Sequence, residues 1–214
     1  MDAIHRKWLW RKLGEKCVQR LERHGFQARL TDNKDEAVAV IMEMVSGYES
    51  FGFAGSDTTR KLGLPNKLRE MGKTLYDHWE EGLSNEENYE IRKKQSQADC
   101  FICSANAISV TGEIINVDGI GNRTNAMSFG PKKVVIVAGM NKVTKDLDSA
   151  LKRIHEVAAP MRANSLGIET PCAKTGICGD CNDPMRLCRI TTILHRKPMM
   201  TDISVILVNE SLGF

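Results

Sequence analysis

Apolar positions recur at three- and four-residue steps along the first stretch of the chain. Ile4, Trp8, Leu9, Leu13, Cys17, Val18 and Leu21 share one face of a helix over residues 2–24, which Gly25 ends. Residues 26–30 read as a short strand. Asp32 or Asn33 then caps a second helix carrying Ala37, Val40, Ile41 and Met44 on one face. Residues 52–55, Gly-Phe-Ala-Gly, lead into Ser56-Asp57-Thr58-Thr59 and a helix that reaches residue 68. A strand at 73–76 precedes a polar helix at 85–97, whose charges read as a solvated face. Strands follow at 99–104, 113–117 and 133–138, the last continuously apolar and therefore central in a sheet. A helix at 146–158 aligns Leu147, Ala150, Leu151, Ile154 and Val157. Residues 160–197 read mostly as loop, and 204–208 as the last strand. This alternation predicts one α/β domain over 1–214, helical over 1–48, with a largely parallel sheet.

Composition limits what such a domain does. Charged residues make up 27% and hydrophobic ones 42%, an ordinary globular balance. A net charge of +3 gives no general attraction to nucleic acid or membranes. No apolar run approaches the roughly 20 residues of a membrane span. The first residues are interrupted by charge and lack a signal-peptide pattern. Seven cysteines without an export signal imply a reducing, cytoplasmic setting.

Four of those cysteines, Cys172, Cys178, Cys181 and Cys188, crowd into the segment with spacing C-x5-C-x2-C-x6-C. A thiolate group this dense suits a soft metal or an iron–sulfur cluster. Gly176 and Gly179 permit tight turns, Pro184 discourages continuous helix, and Lys174, Arg186 and Arg189 are suited to offset thiolate charge. The competing readings are a disulfide knot and unligated thiols; a reducing compartment disfavours the first. His195 is a further candidate ligand. Cys100 and Cys103 also form a CxxC, but residues three apart on a strand face opposite ways, so both are read as core. Cys17, on the helical stripe, is read likewise.

Three further loops, each just after a predicted strand, concentrate small and polar residues where α/β sheets bind ligands. The first, with Gly55, Ser56 and Thr58, opens a helix and suits a phosphate or carboxylate, although Ser56 or Asp57 serves equally as an N-cap. The second holds Ser104, Asn106 and Glu113. The third holds Asp118, Asn122 and Arg123; here Arg123 either forks onto an anion or pairs with Asp118. Asn141 and Lys142, closing the apolar strand, are further anion contacts. Glu113, Asp118, Arg123 and Lys142 are the catalytic candidates. No Walker loop, nucleophile elbow, HExxH or Rossmann glycine pattern is present.

Taken together, these segments form a recognisable series. Gly55-Ser56-x-Thr58 with Leu62-Gly63-Leu64, Ser104-Ala105-Asn106-Ala107-Ile108 with Gly112-Glu113, and Asp118-Gly119-x-Gly121-Asn122-Arg123 come first. Phe129-Gly130-Pro131-Lys132-Lys133-Val134, Gly139-x-Asn141-Lys142-Val143 and Glu210-Ser211-Leu212-Gly213-Phe214 follow. From about residue 50 to Phe214 the series resembles the LUD (lactate utilisation) domain family, most closely a cysteine-bearing subgroup. The resemblance implies a three-layer α/β fold of the NagB/RpiA/CoA-transferase-like type. It also implies a link to lactate oxidation beside iron–sulfur or other redox protein partners. The chain lacks the ferredoxin-like C-x2-C-x2-C-x3-C run of the family's larger iron–sulfur component.

The expectation is an iron–sulfur protein, with a [4Fe-4S] cluster, acting on lactate or a related small anionic substrate. Such a protein is either an oxidoreductase component or a cluster-dependent enzyme, and self-association is compatible with it. The alternatives are an open-iron cluster acting as a Lewis acid, held by Cys172, Cys178 and Cys181 with Cys188 fourth or spare, and a non-catalytic subunit stapled by zinc.

Overall fold

Residues 3–214 are described in the computed structural model; Asp2, which the helical pattern includes, lies outside them. The chain runs through α1 (Ala3–Arg23), β1 (Gln27–Thr31), α2 (Lys34–Val45), β2 (Ser50–Phe53), α3 (Asp57–Lys61), α4 (Leu64–Glu70) and β3 (Thr74–Asp77). It continues with α5 (Asn85–Gln95), β4 (Cys100–Cys103), β5 (Ala107–Ser109), β6 (Ile114–Asp118), α6 (Asn122–Ser128) and β7 (Lys133–Gly139). A 3₁₀ turn, Met140–Lys142, leads to β8 (Val143–Thr144). Then α7 (Leu147–Arg153), a π-helical turn (Ile154–Ala158) and α8 (Ala159–Ser165) form one continuous helical run. The last elements are α9 (Pro171–Thr175), β9 (Ile190–Leu194) and β10 (Asp202–Val208).

Every residue of β7 is buried, and the strand sits inside a six-stranded sheet of order β1-β10-β7-β4-β2-β3. All five pairings in that sheet are parallel. Helices cover both faces, so the fold is three-layer α/β, as the alternation predicts. Successive residues of β7 serve the two faces in turn. Val134, Ile136 and Ala138 join Cys17, Leu21, Phe101 and Cys103 on one side. Val135 and Val137 join Ile41, Phe53, Leu64 and Cys100 on the other. Cys100 and Cys103 thus enter separate core clusters, and burial pushes the Cys103 thiol up to about 12.

Local chemistry explains several boundaries. Asn33, not Asp32, caps α2: its side chain accepts from the Glu36 N–H, while Asp32 pairs with Arg11. Ser84 and Glu87 close a reciprocal capping box at the start of α5.

The structure corrects three expectations and refines a fourth. The helix predicted to reach residue 68 breaks at Gly63, which adopts φ +66° between α3 and α4. The predicted strand at 113–117 does not join the parallel sheet. As β6 it belongs to a second sheet, β8-β5-β6-β9, pairing antiparallel with β5 and β9. Residues 160–197 are mostly loop, as expected, with the helical run continuing to Ser165, the short α9 and β9 anchored on β6 as its ordered parts. Pro160 is tolerated since it lies in the first turn of α8, just after the π-helical turn. Finally, the start of α1 stands off the core: Ile4, Trp8 and Leu9 are exposed, whereas Trp10 and Leu13 pack against the core and Cys17 and Leu21 are buried in it. Among the described residues no helix is long and apolar enough to cross a membrane.

Strand β2 and helix α5 touch through a glycine. A Cβ at Gly52 would lie 2.6 Å from the Gln95 carbonyl oxygen and 2.9 Å from the Phe101 ring. Gly52→Ala should therefore destabilise the protein by about 1–3 kcal/mol, read from the midpoint of urea unfolding, because backbone must shift to admit the methyl group.

Candidate functional site

A parallel sheet delivers all its strand ends to one edge. Here the carboxyl ends of β2, β3, β4 and β7 open a cleft of ≈ 290 Å³. The turn after β2 supplies Gly55, Ser56, Asp57 and Thr58, and the turn after β3 supplies His78 and Trp79. Ser104 and Asn106 follow β4, Lys142 follows β7, and β6 with α6 adds Asp118, Asn122 and Arg123. The α7–α8 run completes the wall with Ile154, Ala158, Ala159 and Arg162.

Lys142 is the most unusual of these. It is 4% exposed, and its Nζ donates to Thr58 Oγ1 and Ser104 Oγ, each at 3.0 Å, with no carboxylate bonded to it. Burial, reinforced by the Arg153 and Arg123 guanidiniums and Lys61 against an opposing pull from Asp57, lowers its pKa from 10.5 to about 7. Arg153 donates to the carbonyls of Asn141 and Asn106 rather than to a carboxylate, so its charge is not cancelled there.

Arg123 takes the pairing role. Its Nε and Nη2 donate to Asp118 Oδ1 at 2.9 and 2.6 Å, and Nη2 also reaches Asn106 Oδ1 and the Val117 carbonyl, both at 2.9 Å. The second Asp118 oxygen accepts from the Thr124 N–H at 2.9 Å. This buried pair fixes the start of α6 and leaves Arg123 no free fork for a ligand.

Arg92 and Arg162 carry the remaining cleft charge. Arg92 donates to Asn88 Oδ1 at 2.8 Å and to Asn122 Oδ1 at 3.3 Å. Arg162 lies 3.9 Å from Asp57, and its guanidinium stacks 5.0 Å from the Trp79 ring centre. Arg60 lies at the same distance from that ring, paired with Asp77. Three guanidiniums (Arg92, Arg123, Arg162) thus face two carboxylates (Asp57, Asp118), a balance that draws small anions even when Lys142 is neutral.

Beneath them Gln95, fully buried, donates to the Phe53 carbonyl at 2.7 Å and His78 Nδ1 at 2.8 Å, and accepts from Asn122 at 2.8 Å. Burial, with Arg92 nearby, lowers the His78 pKa to about 4, so it stays neutral.

Two predicted site residues lie elsewhere. Glu113 sits at the β5–β6 turn, accepting from Ser109 and Thr111. Asn141 anchors the chain end, accepting from the Leu212 N–H at 3.0 Å and donating to the Gly213 carbonyl at 3.1 Å. Ser56 caps α3, accepting from the Thr59 N–H. Sequence reasoning missed His78, Trp79, Arg92 and Arg162. Applying the strand-end rule to β3 would have found the first two.

The four clustered cysteines line one small cavity with Ala159, Ala163, Thr170, Gly179, Arg186 and Leu187. The Cys188 thiol is pushed up by burial and by the nearby Cys178, Cys172 and Cys181, against a pull from Arg186. Arg186 braces the loop: it donates to the Cys188 and Cys181 carbonyls and pairs with Asp180 at 2.7 Å. Lys174 pairs with Glu169, and Arg189 donates to backbone carbonyls. His155, in the π-helical turn, approaches Cys178, with Nδ1 3.6 Å from Sγ; His195 is not among the lining residues. Among the described residues, no three Cys, His, Asp or Glu side chains converge on a point that would hold a single metal ion.

Ala159, Leu187 and Cys188 line both spaces, so the thiol cavity and the cleft share a wall. Strand β9 sets this up, because the Arg189 N–H donates to the Asp118 carbonyl at 3.1 Å and draws the preceding Cys188 to the end of β6.

Comparison with known proteins bears on this arrangement. The LUD domain profile matches residues 14–208. The chain belongs to the LUD domain family. A crystal structure of a DUF162 family protein from Deinococcus radiodurans is similar in fold, with a TM-score of 0.56 at 15% identity. That similarity covers 93% of this chain and 98% of the other. No curated protein sequence matches the chain.

In this LUD domain the Asp118–Arg123 pair is structural. Asp118→Asn should cost roughly 3–5 kcal/mol in chemical denaturation, since it strands a buried guanidinium. Lys142 has a different signature. Between about pH 7 and 10.5 the unfolded chain holds this proton and the folded protein releases it, so stability rises with pH across that window. Lys142→Met should flatten the rise, measured as unfolding free energy against pH.

Proposed function

We propose that this LUD-domain protein is an iron–sulfur protein of cytoplasmic redox metabolism, acting on lactate or a related small organic acid. The observation that carries the reading is the wall shared by the cysteine cavity and the cationic cleft, formed by Cys188 with Leu187 and Ala159. The donor set fits a cluster: four thiols of one loop border one space, and thiolates are the ligands that iron–sulfur clusters take. Cys172, Cys178, Cys181 and Cys188 would hold it. When bound, a [4Fe-4S] cluster supplies one-electron transfer or, with an open iron, a Lewis acid.

The protein's own residues bind and orient the acid. Arg92 and Arg162 present guanidinium donors to a carboxylate, in a fork geometry that suits it. Trp79 holds Arg162 by stacking, and Leu187, Ile154 and Ala158 exclude water from the apolar side. Lys142 accepts or returns a proton near neutral pH, steadied by Thr58 and Ser104. The family's association with lactate utilisation supports the substrate class.

A second reading holds the cluster by Cys172, Cys178 and Cys181, with Cys188 spare, so that an open iron acts as a Lewis acid. It is favoured by the position of Cys188 at the cleft wall, which would put the cluster beside a bound substrate. Lactate that shifts the electron paramagnetic resonance of the dithionite-reduced cluster, but does not itself reduce the resonance-silent oxidised cluster, would select it.

Anaerobic purification should yield a brown protein containing iron and acid-labile sulfide, with both falling sharply in Cys178→Ser and Cys181→Ser. One zinc per chain without sulfide would sink the iron–sulfur reading and leave a structural staple. Calorimetry tests the cleft separately. Arg162→Ala and Arg92→Ala should each weaken lactate or pyruvate binding about tenfold or more, the loss expected for a charge-assisted hydrogen bond. Glu113→Gln, outside the cleft, should leave binding unchanged.

A further inference from the structure

A buried lysine whose role is to hold a charge is normally paired with a carboxylate. Lys142 is not. Its two hydrogen-bond partners are hydroxyls that are themselves committed: Thr58 Oγ1 donates to the Leu212 carbonyl at 3.3 Å, and Ser104 Oγ to the Ala105 carbonyl at 3.4 Å. Both hydroxyls therefore accept from Nζ. A free amine has two hydrogens and one lone pair, so these two bonds use both hydrogens and leave the lone pair unengaged.

The space beside the amine is kept by a glycine. A Cβ at Gly213, where φ is +64°, would come within 3.2 Å of Nζ and 2.5 Å of Thr58 Oγ1. The cleft carboxylates are occupied, Asp118 by Arg123 and Asp57 by the flanking Lys61 and Arg162. The neighbouring Arg153 adds a positive charge bonded only to carbonyls. Each of these facts favours the neutral amine, and none is needed for a plain anion contact.

We infer that Lys142 is a nucleophile that forms an imine with the carbonyl carbon of a 2-oxo acid. The substrate's carboxylate is held by the cleft guanidiniums, and its carbonyl meets the lone pair. Nitrogen attacks the carbonyl carbon and the C–O π pair becomes an alkoxide, which takes up the proton lost by nitrogen to give a carbinolamine. Loss of one water then forms C=N. No electrons are exchanged with another reagent, and the protonated imine is an electron sink that weakens bonds at the adjacent carbons. This inference rests on the small-acid reading of the cleft but not on the cluster. It narrows that acid to one bearing a carbonyl next to the carboxylate.

Borohydride trapping tests it directly. The full chain is incubated with pyruvate and sodium cyanoborohydride, then digested and mapped by mass spectrometry, with calorimetry of pyruvate and lactate run in parallel. Lys142 should carry the reduced pyruvyl adduct and label roughly tenfold or more faster than exposed lysines such as Lys145, as expected of an activated amine. Excess lactate, which has a hydroxyl in place of the keto group and cannot form an imine, should compete and suppress the labelling. Mapping on the wild-type protein decides the point even if Lys142→Met folds poorly. If pyruvate binds but Lys142 labels no faster than surface lysines, the imine is overturned while the acid-binding cleft stands. If neither acid binds, the cleft reading fails and takes the imine with it.

Discussion

All-parallel pairing around β7 is the constraint on which the rest of this molecule depends. A strand buried on both faces must be apolar along its length, and parallel neighbours force every chain crossing to return over a helix. The ends of β2, β3, β4 and β7 therefore emerge together, and the chemistry gathers there without any single motif requiring it. The second, mostly antiparallel sheet uses the same edge. It carries β6 and β9 far enough out that the cysteine loop rests against the cleft instead of hanging free.

The buried charges divide into two kinds with opposite consequences. Asp118 and Arg123 satisfy one another and the adjacent backbone, so they hold the start of α6 and contribute little to attracting ligands. Lys142, buried, and Arg153, half-buried, have polar partners but no bonded carboxylate, so the cost of desolvating them is met by the surrounding fold. Strain of that kind is tolerated where a ligand relieves it. The neutral His78, held by Gln95, gives the wall polarity without adding to the charge.

Much of this was legible in the sequence, for identifiable reasons. Residues 133–138 read as a central strand because an uninterrupted apolar run has one stable place in such a fold. Cys100 and Cys103 read as core because strand geometry separates them. The second sheet was not legible: β5 is three residues long and β8 two, too short to show a period. Helix α5 misled for another reason. It has almost no apolar stripe, and its inward face is built from Arg92 and Gln95, which look like solvated positions until a polar cleft is set beside them. Arg162 was hidden by Pro160, whose usual effect of ending a helix is absorbed by the π-helical turn before it. The cysteine quartet was visible as a spacing, but its contact with the cleft depends on β9 pairing with β6, a long-range contact that no local pattern shows.

The stack of Arg60, Trp79 and Arg162 has an optical consequence. Indole emission responds to charges held close to the ring, and Trp79 lies within 5.0 Å of two guanidinium carbons while forming part of the cleft wall. The other two tryptophans, Trp8 and Trp10, lie on α1 and are not among the cleft-lining residues. An anion that draws Arg162 towards itself changes the field at a single fluorophore. Emission from Trp79 would thus report occupancy of the cleft from within its wall.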